Sequence, residues 1–265
     1  MAEKKLSEKI LEVENLNTGY RTGKRTVSLH KDLRFELSRG ELIAMVGPNG
    51  IGKSTLLRTL SGILPPLGGS IYLEDKRISE YTPLALAEKM SLVLTEQIPA
   101  KALKVKEVIA LGRQPYTNWI GHLSKTDLSI IGRTIEQLGL EEIRELPCYE
   151  LSDGQFQRVM IGRALAQDTG LIILDEPTTH LDIYHKAYIL KLLKRIAHEN
   201  NKCVLFSSHE IHLVNQLCDK VLVLQKDDYD FDQPCNLIEK GSYQKLFPGD
   251  LIDFDSNTGS FRIRN

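Results

Sequence analysis

The chain has 265 residues, and its 34 Lys and Arg nearly balance its 35 Asp and Glu to give a formal net charge of −1. This balance lacks the strong basic excess that marks most nucleic-acid-binding proteins, so we expect no nucleic-acid partner. Apolar runs such as residues 42–46 and 171–174 are far too short to span a bilayer, and the charged first nine residues contain no apolar signal segment. We therefore expect a cytoplasmic protein with one substantial core and room for a small subdomain.

The first part of the chain predicts a small antiparallel sheet, followed by a buried strand and a helix. Residues 10–15 and 27–37 contain short extended patches interrupted by glycine, which is typical of antiparallel strands joined by turns. Residues 42–46 form a continuous apolar run, as expected of a parallel strand that is buried on both faces. Residues 55–60 then have helical spacing.

The remainder of the chain alternates helices with strands. Residues 104–146 carry apolar side chains at three- and four-residue steps, interrupted at Pro115, Gly121 and Gly139, which predicts several short helices. Further strands are predicted at residues 91–94, 171–174, 204–206 and 221–224, and further helices at residues 153–167 and 183–200. This alternation implies an α/β fold whose core sheet is mostly parallel and flanked by helices.

Two minor features carry structural expectations. The acidic run at residues 227–230 lacks the glycine and the spacing of a calcium loop, so it is predicted to be a solvated surface loop. The cysteines are scattered and form no Cys-x-x-Cys pair, which argues against a zinc site or a disulfide framework. All four are expected to be small buried thiols: Cys148, Cys203, Cys218 and Cys235.

Residues 47–55 read Gly-Pro-Asn-Gly-Ile-Gly-Lys-Ser-Thr and fit the phosphate-loop pattern G-x-x-x-x-G-K-[ST]. Glycines let the backbone approach the phosphates closely, and successive amide hydrogens bind the anion together with the start of the following helix. Lys53 is expected to reach the β- and γ-phosphates of ATP, and Ser54 is expected to ligate Mg²⁺. The candidate nucleotide-binding residues of the loop are Gly47, Pro48, Asn49, Gly50, Ile51, Gly52, Lys53, Ser54 and Thr55.

A pair of carboxylates follows the predicted strand at residues 171–174. Asp175 lies at the carboxyl end of this strand, where ligands of open α/β sheets gather, and is a candidate to hold Mg²⁺ through its water shell. Glu176 is a candidate for polarising the attacking water. The pattern indicates an ATPase in which positioning and charge neutralisation supply most of the rate.

The segment Leu151-Ser152-Asp153-Gly154-Gln155 lies a short helix's length before this strand. A phosphate loop, a Leu-Ser-x-Gly-Gln run and an apolar strand ending in Asp-Glu, in that order, resemble the ATP-binding cassette (ABC) family. The resemblance implies that Ser152, Gly154 and Gln155 of one chain close over ATP held by a second copy of the chain. Two copies arranged head to tail would bury two ATP molecules, and hydrolysis would open this clamp.

The same resemblance assigns roles to residues outside these motifs. Gln97 resembles the Q-loop glutamine, which touches Mg²⁺ and links the site to a helical subdomain, and His209 resembles the switch histidine that contacts the γ-phosphate. Asp182 matches the D-loop position that crosses the dimer interface, and Tyr20 resembles the aromatic residue that stacks on adenine. The implied catalytic residues are Glu176, His209 and Gln97, and the implied metal ligands are Ser54, Gln97 and Asp175.

Two positions depart from the commonest form of the family's motifs. Asp153 stands where glycine is commonest, and as an acid in the first turn of a predicted helix it suits the helix dipole. We expect its side chain to face away from the phosphate, which it would otherwise repel. His180 stands in the D-loop, where a small residue is common.

The resemblance covers nearly the whole chain, from about residue 10 to residue 243. It implies a P-loop NTPase fold with an N-terminal antiparallel β subdomain and an inserted helical subdomain that carries the signature. We expect a single ABC ATPase domain over residues 1–265, with the helical subdomain at about residues 98–160 and a C-terminal extension at about residues 225–265.

Residues 105–116 indicate what the clamp drives. They read Val-Lys-Glu-Val-Ile-Ala-Leu-Gly-Arg-Gln-Pro-Tyr and resemble a helical-subdomain segment of the iron-chelate and cobalamin importer group. The resemblance implies the ATPase subunit of an iron-siderophore, haem or cobalamin importer, peripheral on the inner face of the cell membrane. Its partners would be an integral membrane permease, docked by a short helix in a groove near residues 97–116, and indirectly a solute-binding protein.

Other ABC functions remain as alternatives. The ATPase of an ABC transporter for a metal ion or an exported solute carries the same nucleotide-binding motifs. ABC ATPases of DNA repair or chromosome organisation resemble the chain less, because they carry a long coiled coil and no sustained heptads occur here. Translation factors of the ABC type carry two cassettes in one chain, and this sequence contains one.

Overall fold

The structure is a computed structural model that describes residues 8–23, 25–94, 102–246, 252–255 and 259–263. Its strands are β1 (Lys9–Thr22), β2 (Arg25–Ser38), β3 (Leu42–Val46), β4 (Gly68–Leu73), β5 (Lys76–Arg77), β6 (Met90–Val93), β7 (Leu171–Leu174), β8 (Cys203–Ser208), β9 (Lys220–Leu224), β10 (Tyr229–Asp232), β11 (Ile252–Asp255) and β12 (Ser260–Ile263). Its α-helices are α1 (Lys53–Leu60), α2 (Pro83–Ala87), α3 (Val105–Ala110), α4 (Lys125–Gln137), α5 (Asp153–Ala166), α6 (Ile183–Glu199), α7 (Ile211–Leu217) and α8 (Pro234–Glu239). Within these ranges, no helix has the length and apolar character needed to cross a membrane.

The core is a six-stranded sheet in the order β10-β9-β3-β8-β7-β6. The five strands from β9 to β6 are parallel, and β10 pairs antiparallel with β9 at one edge. Strand β3 is buried along its whole length between β8 and β9, as its continuous apolar sequence predicted. The predicted mostly parallel α/β core is therefore confirmed.

The strand order brings three sequence motifs to one edge of the core sheet. β3 pairs with β8, and β8 pairs with β7. The phosphate loop follows β3, His209 follows β8, and Asp175 and Glu176 follow β7. Because parallel strands present their carboxyl ends at the same edge, segments that are far apart in sequence become neighbours there.

A second, antiparallel sheet has the order β2-β1-β4-β5. Its buried side chains share one apolar cluster with α1 and with core-sheet residues that include Ile43 and Met45. The predicted antiparallel sheet is confirmed, but the extended patches at residues 10–15 and 27–37 cover only part of β1 and β2, which each run for 14 residues. Gly19 lies inside β1 and does not end it. Glycine is needed there because a Cβ would lie 2.0 Å from the Val27 carbonyl oxygen of the paired strand β2. Irregular register within β1 hides the alternation that a long strand would otherwise show.

The helices of the central segment pack on one another through apolar side chains such as Val108, Ile135 and Val159, from α3, α4 and α5. The predicted interruptions are confirmed: a 3₁₀ helix, Leu111–Tyr116, contains Pro115, and α4 lies between Gly121 and Gly139. Helix α4 begins with a reciprocal cap, in which the Asp127 carboxylate accepts the Ser124 N–H at 2.8 Å and the Ser124 hydroxyl accepts the Asp127 N–H at 3.2 Å.

Two minor expectations are corrected by the structure. Residues 227–230 are not entirely a solvated loop, because Tyr229 and Asp230 begin β10. The Tyr229 hydroxyl accepts the Arg34 N–H at 2.8 Å and donates to the Arg34 carbonyl at 3.0 Å, which joins the hairpin of β9 and β10 to β2. A local charge pattern cannot reveal partners 195 residues apart. Cys235 is exposed, whereas the other three cysteines are buried as expected.

Candidate nucleotide-binding site

The phosphate loop leaves β3 and leads directly into α1. Gly50 and Gly52 have φ angles of 77° and 107°, a region that glycine enters readily, and Gly52 is the N-cap of α1. A Cβ at Gly47 would lie 2.8 Å from the Leu224 carbonyl oxygen, so this residue must also lack a side chain. The first-turn amide groups of α1 have no acceptor within the helix, which suits the loop to bind an anion.

The Lys53 side chain folds back onto its own phosphate loop and senses the charge of the carboxylates after β7. Its Nζ donates to the Gly47 carbonyl at 2.9 Å and to the Pro48 carbonyl at 3.3 Å. Burial lowers the pKa of this ammonium group, and the negative charges of Glu176 and Asp175 oppose that effect. Both carboxylates are thus close enough to Lys53 to stabilise its charge.

Asp175 is held at the end of β7 by a hydroxyl from the neighbouring strand. It is only 4% exposed, and Ser207 of β8 donates its Oγ hydrogen to Asp175 Oδ1 at 2.7 Å. The same Ser207 oxygen accepts the backbone N–H of Glu176 at 2.8 Å. Asp175 and the hydroxyl of the exposed residue Ser54 provide hard oxygen donors, which are the donors that Mg²⁺ prefers, so the residues present fit this ion.

Both carboxylate oxygens of Glu176 have partners within the chain. His209 Nε2 lies 2.8 Å from Oε1, and Thr179 Oγ1 donates to Oε2 at 2.9 Å. Glu176 itself has a φ of 50°, an uncommon conformation for a residue with a side chain and one that is often found at functional sites. A cleft of about 360 Å³ is lined by these three residues and by Asn49 of the phosphate loop.

The surroundings of Glu176 favour its ionised form. Burial acts to raise the pKa of this carboxyl group. The hydrogen bonds from His209 and Thr179, together with the charge of Lys53, outweigh burial and bring the pKa below its ordinary value. At neutral pH this side chain is therefore a hydrogen-bond acceptor, as an orienting group for water must be.

The signature segment forms the start of α5. Ser152 is the N-cap: its Oγ accepts the Gln155 N–H at 3.3 Å, while Gln155 Oε1 accepts the Ser152 N–H at 2.9 Å. This reciprocal pair fixes the turn within its own chain. Asp153 is exposed in the first turn, where an acid suits the helix dipole, and Gly154 is buried.

The remaining predicted site residues lie on other segments. Tyr20 is on β1, paired with Val27 of β2, and is 45% exposed. Asp182 is the N-cap of α6. Gln97 lies outside the described residues, four positions after β6 ends. The structure therefore brings together the phosphate loop, Asp175, Glu176 and His209, on the sheet edge where their motifs follow β3, β7 and β8.

Sequence reasoning missed three residues with contacts at these motifs. Ser207 and Thr179 bond to Asp175 and Glu176, and the only available signal was their position beside the assigned motifs. His185 received no role from the sequence, yet its ring bonds to Asp182 and packs against Gly154. Its position three residues after Asp182 was a usable signal for the first of these contacts.

Comparisons with known proteins agree with the fold and with the order of the motifs. A family model described as ABC transporter matches residues 30–179. The iron(3+)-hydroxamate import ATP-binding protein FhuC of Bacillus subtilis is 36% identical over 242 residues, covering 91% of this chain and 86% of that protein. An uncharacterized ABC transporter ATP-binding protein of Methanocaldococcus jannaschii is 35% identical over 257 residues, covering 97% of this chain and 87% of that protein.

A solved structure, described as an inward-facing ABC transporter of metal-chelate type, is 29% identical, covers 96% of each chain and has a TM-score of 0.78. The fold and the site together define a P-loop ATPase of the ATP-binding cassette class. The chain belongs to the ABC transporter family, as its sequence motifs indicated, and is one of its ATP-binding, ATP-hydrolysing proteins.

Proposed function

We propose that the chain is the ATP-hydrolysing subunit of an importer that takes up iron chelates, with siderophore-type cargo favoured over haem or cobalamin. The observation that carries this proposal is the 36% identity to a ferric hydroxamate import protein across 91% of the chain. The metal-chelate type of the similar transporter structure supports the same cargo class.

The segment that suggested this cargo class from sequence has a defined packing role. Gly112 lies against α5, where a Cβ would be 2.1 Å from the Arg163 carbonyl oxygen. Arg113 donates to Asp127 at 2.8 Å and to the Ala166 carbonyl at 2.9 Å, and its guanidinium lies 3.9 Å from the centre of the Tyr116 ring. In our proposal the Gly-Arg-x-Pro-Tyr run therefore fixes the segment before α4 to the signature helix.

The chemistry proposed for the site uses the residues at the carboxyl edge of the core sheet. Lys53 and the phosphate-loop amides neutralise the β- and γ-phosphates of ATP. Ser54 and Asp175, with Gln97, would hold Mg²⁺, which when bound adds positive charge at the phosphates. Glu176 orients the attacking water, and His209, which already contacts Glu176, keeps that carboxylate in place and reaches the γ-phosphate.

A second copy of the chain completes the proposed site. Ser152, Gly154 and Gln155 of one chain cover the γ-phosphate held by the other, and Asp182 crosses between them. Tyr20 stacks on the adenine of its own chain. The exposed Ser152 at the start of α5 supports this arrangement, since a helix start with an accessible serine can bind an anion.

We propose that the opening and closing of the two-chain site is passed to a membrane permease. An apolar groove of about 610 Å³ is lined by residues that include Pro65, Leu86 and Leu92. Gln167 closes one side by donating to the Ala87 and Met90 carbonyls at 2.6 and 3.0 Å. Gln167 follows Ala166, whose carbonyl accepts a hydrogen bond from Arg113 of the segment near which docking was predicted. The groove therefore adjoins that segment, and in our proposal a short permease helix packs in it. This contact would place the chain at the inner face of the cell membrane, with a solute-binding protein on the far side.

Uptake of labelled cargo tests the proposal. Cells of the source organism whose only copy of this gene encodes Glu176→Gln should lose most uptake of ⁵⁵Fe-labelled ferric hydroxamate. Uptake of a labelled amino acid in the same cells is the control and should be unchanged. Wild-type rates for ferric hydroxamate in the variant cells would contradict the proposed function.

A further inference from the structure

His185 touches two interface motifs of the proposed dimer within one chain. The Asp182 carboxylate accepts the His185 backbone N–H at 2.9 Å through Oδ1, and its Oδ2 lies 2.8 Å from His185 Nδ1. On its other side the ring faces α5, where a Cβ on Gly154 would lie 3.0 Å from His185 Cδ2. The imidazole is therefore placed between the D-loop cap and the first turn of the signature helix.

The contacts on the two sides of the ring are of different kinds. A carboxylate only accepts hydrogen bonds, so Nδ1 must carry the shared hydrogen, and the bond fixes the rotation of the ring. The contact with Gly154 is steric, because the ring occupies the space that any side chain at this position would enter. Tyr184 packs edge-on against the ring, with centroids 5.5 Å apart.

We propose that His185 is a positioning residue that sets the distance between Ser152 and Asp182, so that both reach the second chain's nucleotide together. The buried Gly154 would then be required for the space it leaves to His185, in addition to any contact with phosphate. Because this role matters only in a closed two-chain site, it rests on the function proposed above.

A helix cap alone would behave differently from this link. Asp182 would still accept the backbone N–H of residue 185 in a His185→Ala variant, so the cap of α6 would survive. If His185 contributed only its backbone N–H to this cap, removal of its ring should therefore leave kcat unchanged. A positioning residue should lower kcat while the KM for ATP, which depends chiefly on the phosphate loop, stays the same.

The test is a double-mutant cycle measured by steady-state ATPase activity. Gly154→Ala should lower kcat roughly tenfold by pushing on the ring, a coupling of the size found for residues in contact. His185→Ala should lower kcat by a similar factor, and the double variant should be no worse than either single variant, because the clash is gone. His185→Asn, which can still donate to Asp182, should recover part of the lost kcat, and His122→Ala, at an exposed site, should have no effect.

Two outcomes separate this inference from the function on which it rests. Suppose that the Glu176→Gln protein dimerises with ATP. The inference alone is then overturned if the kcat losses at positions 154 and 185, measured with Glu176 intact, are strictly additive, or if His185→Ala is fully active. A Glu176→Gln protein that stays a single chain with ATP would overturn the composite site, and this role of His185 with it. ATP-driven dimerisation of the Glu176→Gln protein, together with a non-additive cycle, supports both the composite site and the positioning role of His185.

Discussion

A buried histidine behind the phosphate loop should make the protein's stability depend on mildly acidic pH. His30 is 5% exposed on β2, its Nδ1 lies 2.7 Å from the Thr18 hydroxyl, and its ring would crowd any side chain at Gly52. Burial lowers the pKa of His30 to about 4, and the Ile51 backbone opposes this shift. The unfolded chain, in which the pKa is near 6.5, therefore binds a proton more readily between pH 6.5 and pH 4.

The sign and size of the effect follow from these two values. The free energy of unfolding is retained above pH 6.5 and decreases as the pH falls towards 4, because protonation then favours the unfolded chain. Linkage gives a loss of about 2 kcal/mol at pH 5 relative to pH 7 from His30 alone. The adjoining cleft carries Lys31, Lys226, Asp227 and Asp228, whose opposite charges offset one another near the ring.

Urea unfolding of three proteins at pH 7 and pH 5 measures this contribution. His30→Leu, combined with Thr18→Val so that no hydroxyl loses its partner, should show a smaller loss between the two pH values than the wild type, by about 2 kcal/mol. His122→Leu, at an exposed site, should show the wild-type loss. If the His30 variant and the wild type lose the same free energy to within about 0.5 kcal/mol, His30 does not bear the burial penalty assigned to it.

Three further predictions concern the site and the helical segment. Lys53→Ala should weaken ATP binding roughly 10- to 100-fold, the value of a charge-assisted contact, and unchanged affinity in equilibrium titration would argue against the phosphate loop. Glu176→Gln should keep ATP affinity but lower kcat by roughly 100-fold or more, and normal phosphate release would remove Glu176 from its role. Asp127→Asn should lower the free energy of unfolding by about 3–5 kcal/mol by leaving the buried Arg113 without its carboxylate, and a loss under about 1 kcal/mol in urea would refute this pairing.

The core sheet could be predicted from sequence because its strands carry a local signal. Strand β3 and strand β7 are continuous apolar runs, and each ends at a motif whose chemistry needs a strand end. By contrast, β1 and β2 are irregular in register and partly exposed, so the alternation that reveals a strand is broken along them. Strand β10 was missed although it pairs with its sequence neighbour β9, because its partly exposed Tyr-Asp-Phe-Asp sequence lacks the apolar run of the other core strands.

The candidate site divides in the same way. Lys53, Asp175 and Glu176 were assigned because motif order and strand ends constrain where such residues fall. The Ser207 hydroxyl between Asp175 and Glu176 depends on the pairing of β7 with β8, which no local pattern encodes. His185 shows the same limit, because its contact with Gly154 joins two helices that begin 30 residues apart in sequence.

The proposed composite site is tested most directly by counting chains and nucleotides in solution. Glu176→Gln with Mg²⁺ and ATP, measured by light scattering and nucleotide analysis, should form a particle of two chains holding two ATP molecules. Ser152→Arg in the same background should bind ATP as a single chain, because the arginine blocks the turn that must cover the partner's phosphate. A Glu176→Gln protein that remains a single chain when saturated with ATP, or a Ser152→Arg variant that dimerises equally well, would contradict the account.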